Sequence, residues 1–140
     1  MTSNRTVFRM TFQSNPKNIR RVEAFLKKVN LTAHLDEIQM HKMMISLTEA
    51  VNNAIIHGNK SDQTRMVRVR CEILSRWLVV FVQDEGRGFQ PEKLRNPLQK
   101  QNLMKENGRG VFLMRTLMDK VEFEMGASGA QVALWLDLNK

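Results

Sequence analysis

The order in which the hydrophobic period changes along the chain most constrains its fold. Strand-like alternation or dense apolar runs occur over residues 7–13, 65–74, 77–82, 120–125 and 131–138. Helical spacing of apolar residues occurs over 16–30, 35–57 and 110–118. The resulting order, β-α-α-β-β-loop-α-β-β, predicts an α+β fold. We expect a two-layer sandwich with a mixed, mainly antiparallel sheet and helices on one face.

The length and composition of the chain predict one soluble globular domain. A length of 140 residues is typical of a single domain, here residues 1–140. One cysteine, Cys71, excludes an internal disulfide, and we expect it to pack as a small apolar residue. No apolar run is long enough to span a bilayer, and the first residues do not read as a signal peptide. We therefore expect a cytoplasmic protein with no membrane partner.

The charge balance indicates anionic partners. The net charge is +8, which favours nucleotide, an acidic protein surface or nucleic acid. Aromatic content is 6% with no Tyr, and the Lys and Arg residues are spread along the chain. This pattern argues against a nucleic-acid partner, because single-strand binders interleave aromatic and basic residues.

Glu49 and Asn53 are four residues apart on a predicted helix, so their side chains share a face. A carboxylate can act as a general base, and an amide oxygen suits Mg²⁺. A solvated polar helix face is the ordinary alternative for such a pair. The neighbouring residues are apolar, however, and a carboxylate buried among them needs a partner.

Two glycine motifs follow this helix. The first is Asp84-Glu85-Gly86-Arg87-Gly88 and the second is Gly108-Arg109-Gly110. Glycine lets the backbone approach a ligand closely, and the start of the helix after Gly110 can bind phosphate. A turn aspartate and a flexible helix entry are the simpler interpretations of these motifs.

Together the three blocks resemble, in order, the N, G1 and G2 boxes of the GHKL ATPase family, which includes histidine kinases, gyrase, Hsp90 and MutL. Within that family the chain is most similar to stand-alone anti-sigma-factor serine kinases. The similar segments are Glu49-Ala50-Val51-Asn52-Asn53-Ala54, His57-Gly58, Gly108-Arg109-Gly110-Val111-Phe112-Leu113-Met114 and Leu117-Met118-Asp119. The resemblance covers nearly the whole chain and implies the same two-layer fold, known as the Bergerat ATP-binding fold.

The resemblance also implies the cofactors and the site. ATP and Mg²⁺ would be the cofactors, with Asn53 as the metal ligand and Glu49 orienting or deprotonating the attacking hydroxyl. Asp84 would accept a hydrogen bond from the adenine amino group, beside Gly86 and Gly88.

The remaining positions lie in the second half of the chain. Gly108, Arg109 and Gly110 would meet the phosphates. A segment at about 90–107, with few apolar anchors, would form a lid over the nucleotide, since loops this long are often functional.

The function implied by the resemblance is that of an anti-sigma factor and serine/threonine protein kinase. It would bind a sigma factor and phosphorylate a serine of a STAS-domain anti-anti-sigma factor, and it would form a homodimer. Arg21, on the first helix, would contact the protein partner. The alternative is a module that binds ATP and sequesters a partner without phosphoryl transfer; the presence of Glu49 argues against it.

Overall fold

The computed structural model describes residues 5–86 and 109–140, which form one five-stranded sheet and its covering helices. The predicted lid at about 90–107, together with Gly88 and Gly108, lies outside these residues. The elements are β1 (Thr6–Gln13), α1 (Ile19–Ala33), α2 (Glu37–Asn53), β2 (Met66–Ile73), β3 (Trp77–Gln83), α3 (residues 109–117), β4 (Lys120–Gly126) and β5 (Gly129–Asp137). Within the described ranges, no helix combines the length and apolar character needed to cross a membrane.

The sheet has the strand order β1-β2-β3-β5-β4, and each of these neighbouring pairs is antiparallel. The dense apolar strand β3 is central, as its composition predicts. A tight turn joins β2 to β3, closed by a hydrogen bond of 2.8 Å from the Leu74 N–H to the Trp77 carbonyl. The predicted α+β sandwich is confirmed, but the sheet of the described residues is wholly antiparallel and not mixed, because every pair of neighbouring strands runs in opposite directions.

One face of the sheet forms the core with the helices. Strand side chains alternate in direction, so every second residue of β2 reaches this core, Cys71 among them. Burial raises the pKa of the Cys71 thiol to about 12, so this thiol stays protonated and packs as an apolar group. The helices contribute the buried residues Val22, Leu26, Val29, Met43, Leu47, Ala50, Val51 and Met114.

The second helix begins later and ends differently from the sequence prediction of one α-helix over 35–57. Asp36 is its N-cap and forms a capping box with Gln39, so the helix starts at Glu37. After Asn53 the chain continues as a π-helical segment, Ala54–Gly58, closed by a hydrogen bond of 2.8 Å from the Asn59 N–H to the Ala54 carbonyl. Such wide turns often occur at functional sites, and this one changes the direction of the chain just before Asn59.

Candidate functional site

The end of α2 and the start of α3 bring three of the predicted site residues together. Glu49 and Asn53 lie one turn apart on α2, and both are partly buried. An ideal Cβ built on Gly110 of α3 would lie 3.0 Å from Glu49 Oε2 and 3.2 Å from Asn53 Nδ2. The carboxylate and the amide therefore share one small space that Gly110 leaves open.

Asp84 follows the central strand β3 and is almost fully buried. Its Oδ1 accepts hydrogen bonds of 3.0 Å from the N–H groups of Gly86 and Ala130, and its own N–H donates to the Ala130 carbonyl. Burial raises the pKa of Asp84 above its ordinary value of 3.8, while the two N–H donors act in the opposite direction. The carboxylate is thus held in one orientation, with its second oxygen next to Gly58 at the end of the π-helical segment.

Three glycines allow other backbone segments to close around Asp84. A Cβ on Gly58 would overlap the Asp84 carboxylate, and a Cβ on Gly86 would overlap the Gly58 carbonyl. Gly129 has a φ of +146°, and a Cβ there would overlap the Asp84 carbonyl. The sequence predicts Gly86 as a site residue and includes Gly58 in a segment that resembles the family, but it assigns neither Gly58 nor Gly129 a contact with Asp84. No pattern in the sequence around Gly58 or Gly129 predicts their contacts with Asp84.

The π-helical segment separates the two groups of site residues. Glu49 and Asn53 lie before it on α2, and Asp84 lies against Gly58 at its end. Asn53 is the last residue of α2 and Gly58 is the last residue of the π-helical segment, so one wide helical turn separates them. One end of this elongated site carries the buried Asp84 carboxylate and the other carries Glu49 and Asn53. An acceptor at one end and a carboxylate–amide pair at the other fit a ligand with a base and a phosphate group.

The remaining predicted residues lie at the margins. Arg109 is exposed at the first described position of α3, before Gly110. Arg21 is exposed on α1, opposite the buried side chains of Val22 and Leu26.

The residues present fit ATP and Mg²⁺. The space at Gly110, which a methyl group would fill, adjoins an amide and a carboxylate oxygen, the oxygen chemistry that Mg²⁺ prefers. Asp84 offers an oriented carboxylate, which when ionised only accepts hydrogen bonds and so suits an adenine amino group.

Solved structures with the same fold include domains of two other proteins. The chain matches the structure of the RsbU and RsbW domains of a Mycobacterium tuberculosis protein with a TM-score of 0.69 and 18% identity, covering 94% of this chain and 32% of that one. The histidine kinase domain of an Erythrobacter litoralis blue-light activated histidine kinase matches with a TM-score of 0.55 and 18% identity, covering 89% and 61% of the two chains. At this identity the matches establish the fold alone.

Sequence comparisons are more specific. Residues 12–136 match the family described as histidine kinase-like ATPase domain. The anti-sigma F factor of Clostridium novyi is 32% identical over 105 residues, covering 74% of this chain and 71% of the relative. The serine-protein kinase RsbW of Bacillus subtilis is 34% identical over 110 residues, covering 74% and 67%. The chain therefore belongs to the histidine kinase-like ATPase family, in the group that contains the anti-sigma F factors and the RsbW serine-protein kinases.

Proposed function

We propose that this protein is an ATP-dependent serine/threonine protein kinase and anti-sigma factor. The observation that carries the proposal is the close approach of Gly110 to Glu49 and Asn53, which brings a carboxylate and an amide together beside the glycine motif of α3. A module that only bound a nucleotide would need no carboxylate at this point. The relatives named as an anti-sigma factor and as serine-protein kinases support the same function.

Asp84 would select the base. Its Oδ1 is already occupied by two backbone N–H groups, which fixes the plane of the carboxylate. An ionised carboxylate accepts hydrogen bonds but donates none. It would therefore bind the amino group of adenine and reject the carbonyl that guanine carries at the same position.

Glu49 and Asn53 would act at the opposite end. Asn53 would hold Mg²⁺, and the bound ion would neutralise charge on the phosphates. Glu49 would orient the attacking serine hydroxyl and accept its proton. Gly110 and the exposed Arg109, at the start of α3, would face the phosphates, since free N–H groups at a helix start bind anions.

The protein partners would be a sigma factor and a STAS-domain anti-anti-sigma factor, bound by a homodimer in the cytoplasm. Arg21 is exposed on α1, where a guanidinium can pair with a partner carboxylate. The net charge of +8 would speed encounter with an acidic surface. Phosphorylation of the anti-anti-sigma factor would then decide which partner is bound.

A pull-down from the native cell, with and without Mg-ATP, tests the proposal. We expect the protein to capture a sigma factor with Mg-ATP and to transfer labelled phosphate from ATP to a serine of a captured STAS protein. The Glu49→Ala variant is the control and should capture the same proteins without labelling them. ATP-dependent capture with no phosphoryl transfer by the parent protein would instead establish the binding module, and absence of ATP binding would refute both functions.

A further inference from the structure

Asn59 is a buried polar residue outside the predicted site whose side-chain amide bonds three separate segments of the chain. It follows the π-helical segment and is fully buried. Its Nδ2 donates to Ser14 Oγ at 2.6 Å and to the Met66 carbonyl at 2.9 Å, and its Oδ1 accepts from the Glu85 N–H at 2.8 Å. One amide thus joins the end of β1, the start of β2 and the loop after β3.

The contact with Glu85 bears directly on Asp84. The chain leaves the sheet after Gln83, so Asp84 is the first residue without strand partners on both sides. Its side toward β5 is held by Ala130, as described above. The far side of the loop is held by the bond from the Glu85 N–H to Asn59 and by the Glu85 carboxylate, which accepts from the Met66 N–H and contacts Arg68.

Asn59 also holds the segment that faces Asp84 from the other side of the site, which ends at Gly58. Gly58, its neighbour in the chain, lies against the Asp84 carboxylate so closely that a Cβ would overlap it. The Asn59 side chain therefore ties the residue after Asp84 to the residue after Gly58. Together with the bonds from Gly86 and Ala130, this amide sets the distance between Gly58 and the Asp84–Glu85 loop and so contributes to the orientation of the Asp84 carboxylate.

We infer that Asn59 is a positioning residue that sets the preference for adenine by holding the Asp84–Glu85 loop against Gly58. The inference rests on the proposed function, since it assigns base selection to Asp84. The alternative is a purely structural role, because a buried amide with three hydrogen-bond partners also contributes to the stability of the fold. The two differ in one observable: loss of stability alone leaves the ratio of ATP to GTP affinity unchanged.

The test compares the affinities of the full chain for Mg-ATP and Mg-GTP by calorimetry, at a temperature where circular dichroism shows each variant folded. In Asn59→Ala we expect the ratio of ATP to GTP affinity to fall by about tenfold, the effect of one misplaced hydrogen bond. Asn59→Leu, which fills the space with an apolar side chain of similar size, should show the same fall and serves if Asn59→Ala does not fold. Leu26→Ala is the matched control: it destabilises the buried core at α1 and should leave the ratio unchanged.

Asn59→Asp separates the contact with Glu85 from the other two. Aspartate keeps an acceptor for the Glu85 N–H but loses both donor contacts with Ser14 and Met66. We expect a less stable protein whose ratio of ATP to GTP affinity stays within about threefold of the parent, because the bond that orients the loop remains. A fall as large as in Asn59→Ala would overturn the assignment to this bond.

The outcomes distinguish the inference from the function on which it rests. A parent protein that binds Mg-ATP and Mg-GTP equally would refute base selection by Asp84. A selective parent with an unchanged ratio in a folded Asn59→Ala or Asn59→Leu protein would refute the positioning role alone.

Discussion

Replacing Gly110 by alanine tests the location of the phosphate end of the site. An added Cβ would lie 3.0 Å from Glu49 Oε2, 3.2 Å from Asn53 Nδ2 and 3.7 Å from Asn53 Oδ1. Contacts of 3.0–3.4 Å are tighter than nine in ten real Cβ contacts, so both side chains must move by a few tenths of an ångström. The new methyl group would occupy the space that the carboxylate and the amide share.

The effect on stability should be small because two terms oppose each other. Alanine is favoured over glycine in a helix interior by about 1 kcal/mol, and by less near the helix start, where Gly110 lies. Pushing two side chains away from their preferred rotamers costs about 0.5–1.5 kcal/mol each. We expect the free energy of unfolding to change by no more than about 2 kcal/mol, measured by urea denaturation.

The effect on function should be large. We expect the affinity for Mg-ATP to fall by at least about tenfold, or roughly 1.4 kcal/mol. Phosphoryl transfer should fall by about a hundredfold or more, because small displacements of reacting groups have effects of this size. Calorimetry measures the first quantity, and labelling of the captured STAS protein measures the second.

The chain offers a matched control in Gly126. A Cβ at this position has one neighbour within 4 Å, at 3.9 Å, and the residue lies in the hairpin between β4 and β5. Gly126→Ala should leave both ATP affinity and phosphoryl transfer unchanged. Parent-like affinity and transfer in a folded Gly110→Ala protein would refute the placement of the phosphates between Glu49 and Asn53.

Further substitutions test the other groups. Because burial raises the pKa of Asp84, ionisation of this carboxyl lowers the free energy of unfolding at pH values above that pKa. This destabilisation disappears as the pH falls toward 3.8, the ordinary pKa of the group. Asp84→Asn should therefore not lower the melting temperature at neutral pH. The same variant should show a weaker preference for ATP over GTP. In the parent protein, acidification should abolish that preference at a higher pH than the pKa of an exposed aspartate would predict. Glu49→Ala should abolish phosphoryl transfer while retaining most ATP binding, whereas Asn53→Ala should weaken the Mg²⁺-dependent part of binding, and full kinase activity in Glu49→Ala would assign the base elsewhere. Arg21→Ala should leave folding and ATP affinity intact and weaken partner binding, most clearly at low salt; an unchanged dissociation constant for both partners would remove Arg21 from the interface.

Much of the architecture could be predicted from local patterns. The alternation over 65–74 and the apolar run over 77–82 correspond to β2 and β3 within one residue at each end. The face shared by Glu49 and Asn53 follows from helical geometry, and the order of the three motifs identifies the family. These features depend on residues only a few positions apart, so the sequence alone determines them.

The environment of Asp84 was decided by the tertiary structure. Its partner Ala130 is 46 residues away, and Glu85 meets Asn59 across 26 residues. Residues 59–63 are all polar, which is typical of an exposed loop. The fold nevertheless buries Asn59 completely, because three segments supply hydrogen-bond partners for its side-chain amide. Burial and hydrogen-bond partners depend on which distant segments the sheet brings together, and no period of hydrophobic residues encodes that choice at one position. The sequence by itself therefore determined the elements, their order and the family, while the packing of Gly58, Gly86 and Ala130 around Asp84 decided the orientation of its carboxylate and the direction of its pKa shift.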